Sequence, residues 1–213
     1  MKILAIDTST DYLSLAILKD DSLAAKFHKK ADRRHSILLV PMIDKLLKRV
    51  KLKIKDIDCF AVSVGPGSFT GLRIGVTVVK GFAYTLNKKI VAVPTLDVIA
   101  ENAKSFNGVI CPVLDARKNK VYACLYKSDG KTIKKISKYL LLPLDELLKK
   151  VSEYDKVLFL GDTKENNYKK DWHPRADVVA KLGVGYFKNR KFVKPEDLEP
   201  MYLYSRECDI KGI

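Results

Sequence analysis

Gly65-Pro66-Gly67-Ser68-Phe69-Thr70-Gly71-Leu72-Arg73-Ile74-Gly75 stands between a strand-like run and a helical one. Upstream, Cys59-Phe60-Ala61-Val62-Ser63-Val64 is almost wholly apolar, as a buried strand is. Downstream, a helical run extends to about Leu86. Strand, glycine-rich turn and helix together form the layout of a phosphate-binding site. No Gly-Lys-Ser/Thr closes this one, so it is not a Walker A loop. Three residues rather than two separate Gly67 from Gly71, so it is not a dinucleotide fingerprint either. A nucleophile elbow would need glycine at position 70, which is Thr70.

The glycines therefore need another reason. With Thr70 as the expected N-cap, Gly71 and Gly75 share one helix face, and Val78, Val79 and Phe82 continue near it. Each interior glycine costs a helix about 1 kcal/mol against alanine. Two on one face imply close approach of another backbone. That backbone belongs either to the sheet beneath or to a helix of a second subunit.

Outward from this run, the chain of 213 residues is long enough for one large domain or two small ones. It is 47% hydrophobic and 31% charged, a globular balance, and no apolar run approaches the roughly 20 residues of a membrane span. Met1-Lys2-Ile3-Leu4-Ala5-Ile6-Asp7 meets an acid too early for a signal peptide and reads as a first strand. Cys59, Cys111, Cys124 and Cys208 are scattered with no C-x-x-C pair, which argues against a zinc site or a disulfide framework and fits a cytoplasmic protein. The net charge of +15 reads either as a solvated lysine-rich surface or as contact with a polyanion such as RNA. The basic residues concentrate at 26–34, 45–55, 131–138 and 188–194 rather than in one arm.

Three strands are expected at 3–7, 13–18 and 22–29, then a helix over 36–51 carrying Leu39, Met42, Ile43, Leu46, Leu47 and Val50 at helical spacing. Ser36 is its expected N-cap. The strand at 59–64, the glycine helix, a strand at 90–93 and a helix opened by Pro94-Thr95 follow. The pattern then partly repeats, with strands at 109–114, 121–126 and 132–139, a helix at 144–151, a strand at 156–160 and a late helix at 175–187. Two successive meander-then-βα units predict a duplicated α/β architecture, with lobes 1–103 and 104–213.

Asp7-Thr8-Ser9-Thr10 ends the first strand of the first unit, and Asp115-Ala116-Arg117 ends the first strand of the second. An acid and hydroxyls at such a turn could meet a metal-bound water or a phosphate, or could simply close a hairpin. His28, His35 and His173 are the only histidines and lie at no metal-ligand spacing in sequence.

Taken in order, Ile3 to Thr10, His35-Ser36, Gly65 to Gly75, Pro94-Thr95-Leu96 and Asp115-Ala116-Arg117 resemble the TsaB (YeaZ) family within the TsaD, glycoprotease-like group. The resemblance is dense over roughly the first 120 residues. It implies an α/β fold of two duplicated actin-like lobes (ASKHA, ribonuclease H-like), the second reduced. It also implies a non-catalytic scaffold in the transfer of a threonylcarbamoyl group to N6 of adenosine 37, in tRNAs reading codons that start with A. The implied partners are a TsaD-type catalytic paralogue, a TsaE-type ATPase and tRNA through the complex, with a homodimer in isolation and no membrane.

In the superfamily the two turns are phosphate loops, so Asp7, Thr8, Ser9, Thr10, Asp115 and Arg117 are the candidate positions of a weak or vestigial ATP/ADP site. Ser9 stands where that superfamily has glycine, which hinders close approach of a phosphate. TsaD-like proteins carry an H-x-x-x-H metal pair where this chain has Thr95 and Ile99, so no metal and no catalytic residue are expected. The resemblance directs the second-subunit reading of the glycine face to an interface of Met42, Leu46, Gly71, Arg73, Ile74, Gly75, Val78, Val79 and Phe82. The family's terminal Pro-x-Tyr-Leu-Arg becomes Pro200-Met201-Tyr202-Leu203-Tyr204, with Arg206 two residues on. The rival readings are a stand-alone ATP- or metal-dependent glycoprotease-like enzyme and a free-standing RNA-binding module.

Overall fold

The computed structural model describes residues 1–168 and 170–204. Its first sheet is built on β1 (Lys2–Asp7), β2 (Tyr12–Lys19) and β3 (Ser22–Lys30), an antiparallel meander. Helix α1 (His35–Arg49) leads to a 3-10 turn at Ile54–Asp56 and to β4 (Cys59–Gly65), which pairs parallel to β1. Helix α2 (Phe69–Leu86) leads to β5 (Lys89–Pro94), parallel to β4, and α3 (Thr95–Glu101) follows. The sheet order is β3-β2-β1-β4-β5.

Alternation along β1 explains why both faces of this sheet are covered. Leu4 and Ile6 point to one side and Ile3 and Ala5 to the other, all fully buried. The Leu4 side joins Phe60 and Val62 to Leu39 and Ile43 of α1 and Val76 and Val79 of α2. The Ile3 side joins Ala61, Val91 and Val93 to Val179 and Ala180 of α5 (Ala176–Lys188).

The second sheet contains β6 (Asn107–Arg117), β7 (Lys120–Ala123), β8 (Tyr126–Asp129), β9 (Ile133–Lys135) and β10 (Leu140–Pro143), then α4 (Leu144–Val151) and β11 (Val157–Gly161). Val113 opposes Ala123 while Ile110 opposes Tyr126, a single continuous register, so β7 and β8 are halves of one strand broken at Cys124-Leu125. β10 and β9 lie outside them and are likewise halves of one strand, with a bulge over 136–139. β11 runs parallel to β6 along the remaining edge. Outer strand, middle strand, first strand and parallel fourth strand is the order of β3-β2-β1-β4 over again. This is the expected duplicated α/β architecture, with the second sheet reduced by one strand.

The chain divides into two compact units, one of Met1–Val98 with His173–Pro200 and one of Ile99–Trp172 with the residues from Met201. The expected lobes 1–103 and 104–213 differ from these units at their far side, where α5 packs on the first sheet. Two expected caps also move. Ser68, not Thr70, caps α2, its side chain accepting from Gly71 N at 3.2 Å. α1 begins at His35 after Arg34, which makes no side-chain cap, so Ser36 lies inside the helix. Cys208 and Arg206 lie outside the described residues.

Gly183 sets how closely α5 approaches the sheet, since a Cβ there would stand 3.0 Å from Ala61 Cβ and 3.2 Å from Val91 Cγ2. Gly183→Leu should cost roughly 1–3 kcal/mol by overpacking. Urea unfolding checks this; an unchanged midpoint would contradict the placement of α5.

Candidate functional site

The turn between β1 and β2 is closed from within. Ser9 N and Ser9 Oγ both donate to Asp7 Oδ1, at 3.0 and 2.9 Å. Thr8 Oγ1 donates to the Gly71 carbonyl at 2.7 Å, and Ser68 N donates to the Ser9 carbonyl at 2.7 Å. The start of α2 therefore lies directly on the turn. A Cβ at position 67 would come 2.3 Å from Ser9 O, one at 71 would come 2.0 Å from Thr8 O, and one at 75 would come 2.4 Å from Thr8 Oγ1. No side chain fits at those distances, so the glycine face is explained by this chain's own first turn.

Four of the expected interface residues lie beneath the surface. Gly71 and Gly75 are buried against Thr8, and Val79 and Leu46 are buried in the core beside them. Val79 and Leu46 serve the packing of α2 and α1 on the sheet. Met42, Ile74, Val78 and Phe82 are partly buried, and Arg73 is exposed with its guanidinium 3.8 Å from the Phe69 ring centroid. Ile37 is 69% exposed and Val40 and Phe69 are exposed as well, so the outward faces of α1 and α2 carry an uncovered apolar surface. An open groove of about 660 Å³ among Val40, Ile43, Leu47, Leu52, Ile54 and Phe82 lies along it.

Asp7, Thr8 and Ser9 are buried and Thr10 is half-buried. Burial pushes the Asp7 carboxyl up to about 6, an effect that the nearby Ser63 and Ser9 groups partly offset. Asp7 Oδ2 and the Ser63 hydroxyl complete no hydrogen bond of normal geometry. Chemically, the Thr8 and Ser9 hydroxyls at this turn are already committed as donors, while Thr10 Oγ1 accepts from Tyr12 N at 3.3 Å.

The corresponding turn of the second unit is different. Asp115 and Arg117 are exposed and form an ion pair at 3.2 Å, and Arg117 N donates to Asp115 Oδ1 at 2.8 Å. Asp115 N donates to Asp162 Oδ1 at 2.8 Å. Arg117, Lys118 and Asn119 all adopt positive φ, a tight left-handed reversal. Tyr204, in the place of the family's arginine, donates its hydroxyl to the Ala116 carbonyl at 2.9 Å. Such an ion pair in water is worth little to stability.

Thr95 and Ile99, at the positions of the histidine pair, are both fully buried. Among the described residues no group of three or more His, Cys, Asp or Glu could hold a metal ion. Cys59 and Cys111 are free, and burial holds both thiols well above their ordinary range, far from a ready nucleophile.

One cluster escaped the sequence. All three histidines gather about Tyr12: His28 stacks on its ring at 4.8 Å, His173 lies 3.9 Å from it, and His35 Nε2 lies 3.2 Å from its carbonyl oxygen. Pairing of β2 with β3 could have brought His28 near Tyr12, but nothing local announces a residue 161 positions away.

Comparison with known proteins gives the family. A family model described as tRNA N6-adenosine threonylcarbamoyltransferase (TsaD) matches residues 24–177. The tRNA threonylcarbamoyladenosine biosynthesis protein TsaB of Bacillus subtilis is 33% identical, over 100% of this chain and 98% of its own length. TsaB of Escherichia coli is 36% identical over 61% of this chain and 56% of its own. The solved structure of YeaZ from Pseudomonas aeruginosa superposes with a TM-score of 0.82 at 26% identity, over 95% of this chain and 99% of that one.

Gly71→Ala should destabilise the fold by about 1–3 kcal/mol or more, since its methyl meets a carbonyl oxygen rather than a movable side chain. Gly81 has nothing within 4 Å of a Cβ, so Gly81→Ala should be neutral or stabilise by up to about 1 kcal/mol. Thermal unfolding of the pair checks the glycine assignment; equal effects would contradict it. Asp7 gives a pH test. Between its ordinary 3.8 and about 6 the folded state keeps a proton that the unfolded chain has released. Stability therefore falls as pH rises through that window and stays lower above it. Asp7→Asn should flatten this slope and gain up to about 3 kcal/mol at neutral pH. Urea titrations at pH 4 to 8 check it, and a parallel fall in both proteins would contradict it.

Proposed function

The chain belongs to the TsaB family, within the TsaD group of the tRNA N6-adenosine threonylcarbamoyltransferases, and from that premise we propose that it is a non-catalytic subunit of the complex that transfers a threonylcarbamoyl group to N6 of adenosine 37. It acts in the cytoplasm as scaffold and activator for a TsaD-type catalytic paralogue, joined by a TsaE-type ATPase, and forms a homodimer when alone. It needs no cofactor of its own, and any residual ATP or ADP binding is incidental to the role.

The observation that carries this reading is the closed first turn. Thr8 and Ser9 spend their hydroxyls on Gly71 and Asp7, and Asp7 is buried. An actin-like lobe whose first phosphate loop is occupied by its own helix is poorly suited to nucleotide chemistry. It is well suited to presenting that helix. α2 is pinned at its start by Thr8, and at its end Asn87 adopts a left-handed cap conformation with its N–H on the Ala83 and Tyr84 carbonyls. The exposed flank thus has a fixed position. Ile37 and Val40 of α1, with Ile74, Val78 and Phe82 of α2, form the surface on which the paralogue docks. A second copy of the chain uses the same surface in the homodimer.

Two measurements test the proposal. Reconstituted tRNA modification with the other subunits of the same organism should fail without this chain; full activity in its absence would contradict the scaffold role. Ile37→Glu and Val78→Glu should each abolish dimerisation in sedimentation and weaken association with the paralogue by tenfold or more. Ile37 is exposed enough that the fold should survive its change. Unchanged association of both variants would contradict the docking surface.

A further inference from the structure

Lys127 of β8 and Lys134 of β9 are directly opposite each other in the antiparallel register. Directly opposed residues have Cβ atoms roughly 5 Å apart, and like charges there destabilise the pair. They are not isolated. The segment from Tyr126 to Tyr139 carries five lysines, Lys127, Lys131, Lys134, Lys135 and Lys138, against one acid, Asp129. All five lysines are exposed. Asp129 is engaged in closing the hairpin turn, accepting from Lys131 N at 2.8 Å, Thr132 N at 2.7 Å and Thr132 Oγ1 at 3.0 Å. Among the described residues no ion pair involves Lys127, Lys131, Lys134 or Lys138. Lys135 lies 4.0 Å from the Tyr139 ring centroid and 6.0 Å from that of Tyr126, so two aromatic rings flank it.

The other basic run of the meanders, on and after β3, is partly paired, with no ion pair at Lys26, Lys29 or Arg33 among the described residues. Lys30 pairs with Asp11 at 3.7 Å and Arg34 with Asp32 at 3.8 Å. Guarding a sheet edge against aggregation would also place lysines on β9. It would not require Lys127 on the inner strand, facing one of them. A hairpin that keeps an opposed lysine pair and leaves it uncompensated is suited to an anion that arrives from outside.

We propose that the β8–β9 hairpin is a contact surface for the phosphate backbone of the tRNA. This rests on the tRNA-modification reading and deepens it, assigning the basic charge of the second unit to substrate holding. Lysines spaced along a hairpin meet successive phosphates without reading sequence, so the surface positions the tRNA and leaves its discrimination to other parts of the complex.

The test uses the full chain and a Lys127→Gln, Lys134→Gln, Lys138→Gln variant. Binding of a fluorescent unmodified tRNA transcript is followed by anisotropy from about 50 to 200 mM salt, with and without the catalytic paralogue. The variant should bind more weakly, and its slope of log K against log salt should be shallower by roughly two to three. Its thermal midpoint should stay level or rise, because opposed lysines are gone. An unchanged slope and affinity would overturn the proposal. So would weakened association with the paralogue at unchanged tRNA affinity, or precipitation of the variant with tRNA binding intact, which would mark the lysines as edge guards. If modification requires the chain but tolerates the variant, the hairpin proposal fails and the scaffold reading stands. If the variant loses tRNA binding but modification proceeds without the chain, the scaffold reading fails alone.

Discussion

The fit of the first turn against the glycine face of α2 is the contact on which the rest of the first unit depends. Thr8 O and Ser9 O occupy the space that side chains at positions 71 and 67 would fill. Three glycines weaken a helix start by about 1 kcal/mol each where they lie within it. What offsets this is a set of short hydrogen bonds, Thr8 Oγ1 to Gly71 O and Ser68 N to Ser9 O. The close approach fixes α2 on the sheet and so fixes which of its residues turn outward. It also seals Asp7 at the end of β1, and burial pushes that carboxyl up to about 6. The same closure commits the Thr8 and Ser9 hydroxyls within the chain.

Much of the fold was legible in the residues. The buried run Cys59 to Val64 and the spacing of Leu39, Ile43 and Leu46 depend on local periodicity, which survives without tertiary knowledge. The duplication was visible because two meanders recur in order. What the sequence left open was destination. The period of α5 marks an apolar face but not the sheet that it covers, and α5 returned to the first one. The glycine spacing correctly demanded a close backbone, yet the choice between own turn and partner helix is a tertiary fact. Ser68 and Thr70 are both hydroxyl residues at the start of a helix, so composition alone could not choose the cap. The break between β7 and β8 falls at Cys124-Leu125, apolar residues that give no turn signal.

The two units present different surfaces on one architecture. In the first, the turn after the leading strand is buried and the outer helices expose apolar residues such as Ile37. In the second, the matching turn is an exposed Asp115–Arg117 pair, and the β8–β9 hairpin carries Lys127, Lys131, Lys134 and Lys138 with no ion pair among the described residues. Apolar surface suits a protein partner and uncompensated positive charge suits RNA.

The central claim is that α2 closes the first turn to nucleotide and leaves the chain a partner subunit. Calorimetric titration of the isolated chain with magnesium-ATP and with ADP tests this most directly. The account predicts no saturable heat at micromolar concentrations of either nucleotide. Saturable micromolar binding, lost on Asp7→Ala and Thr8→Ala, would contradict it.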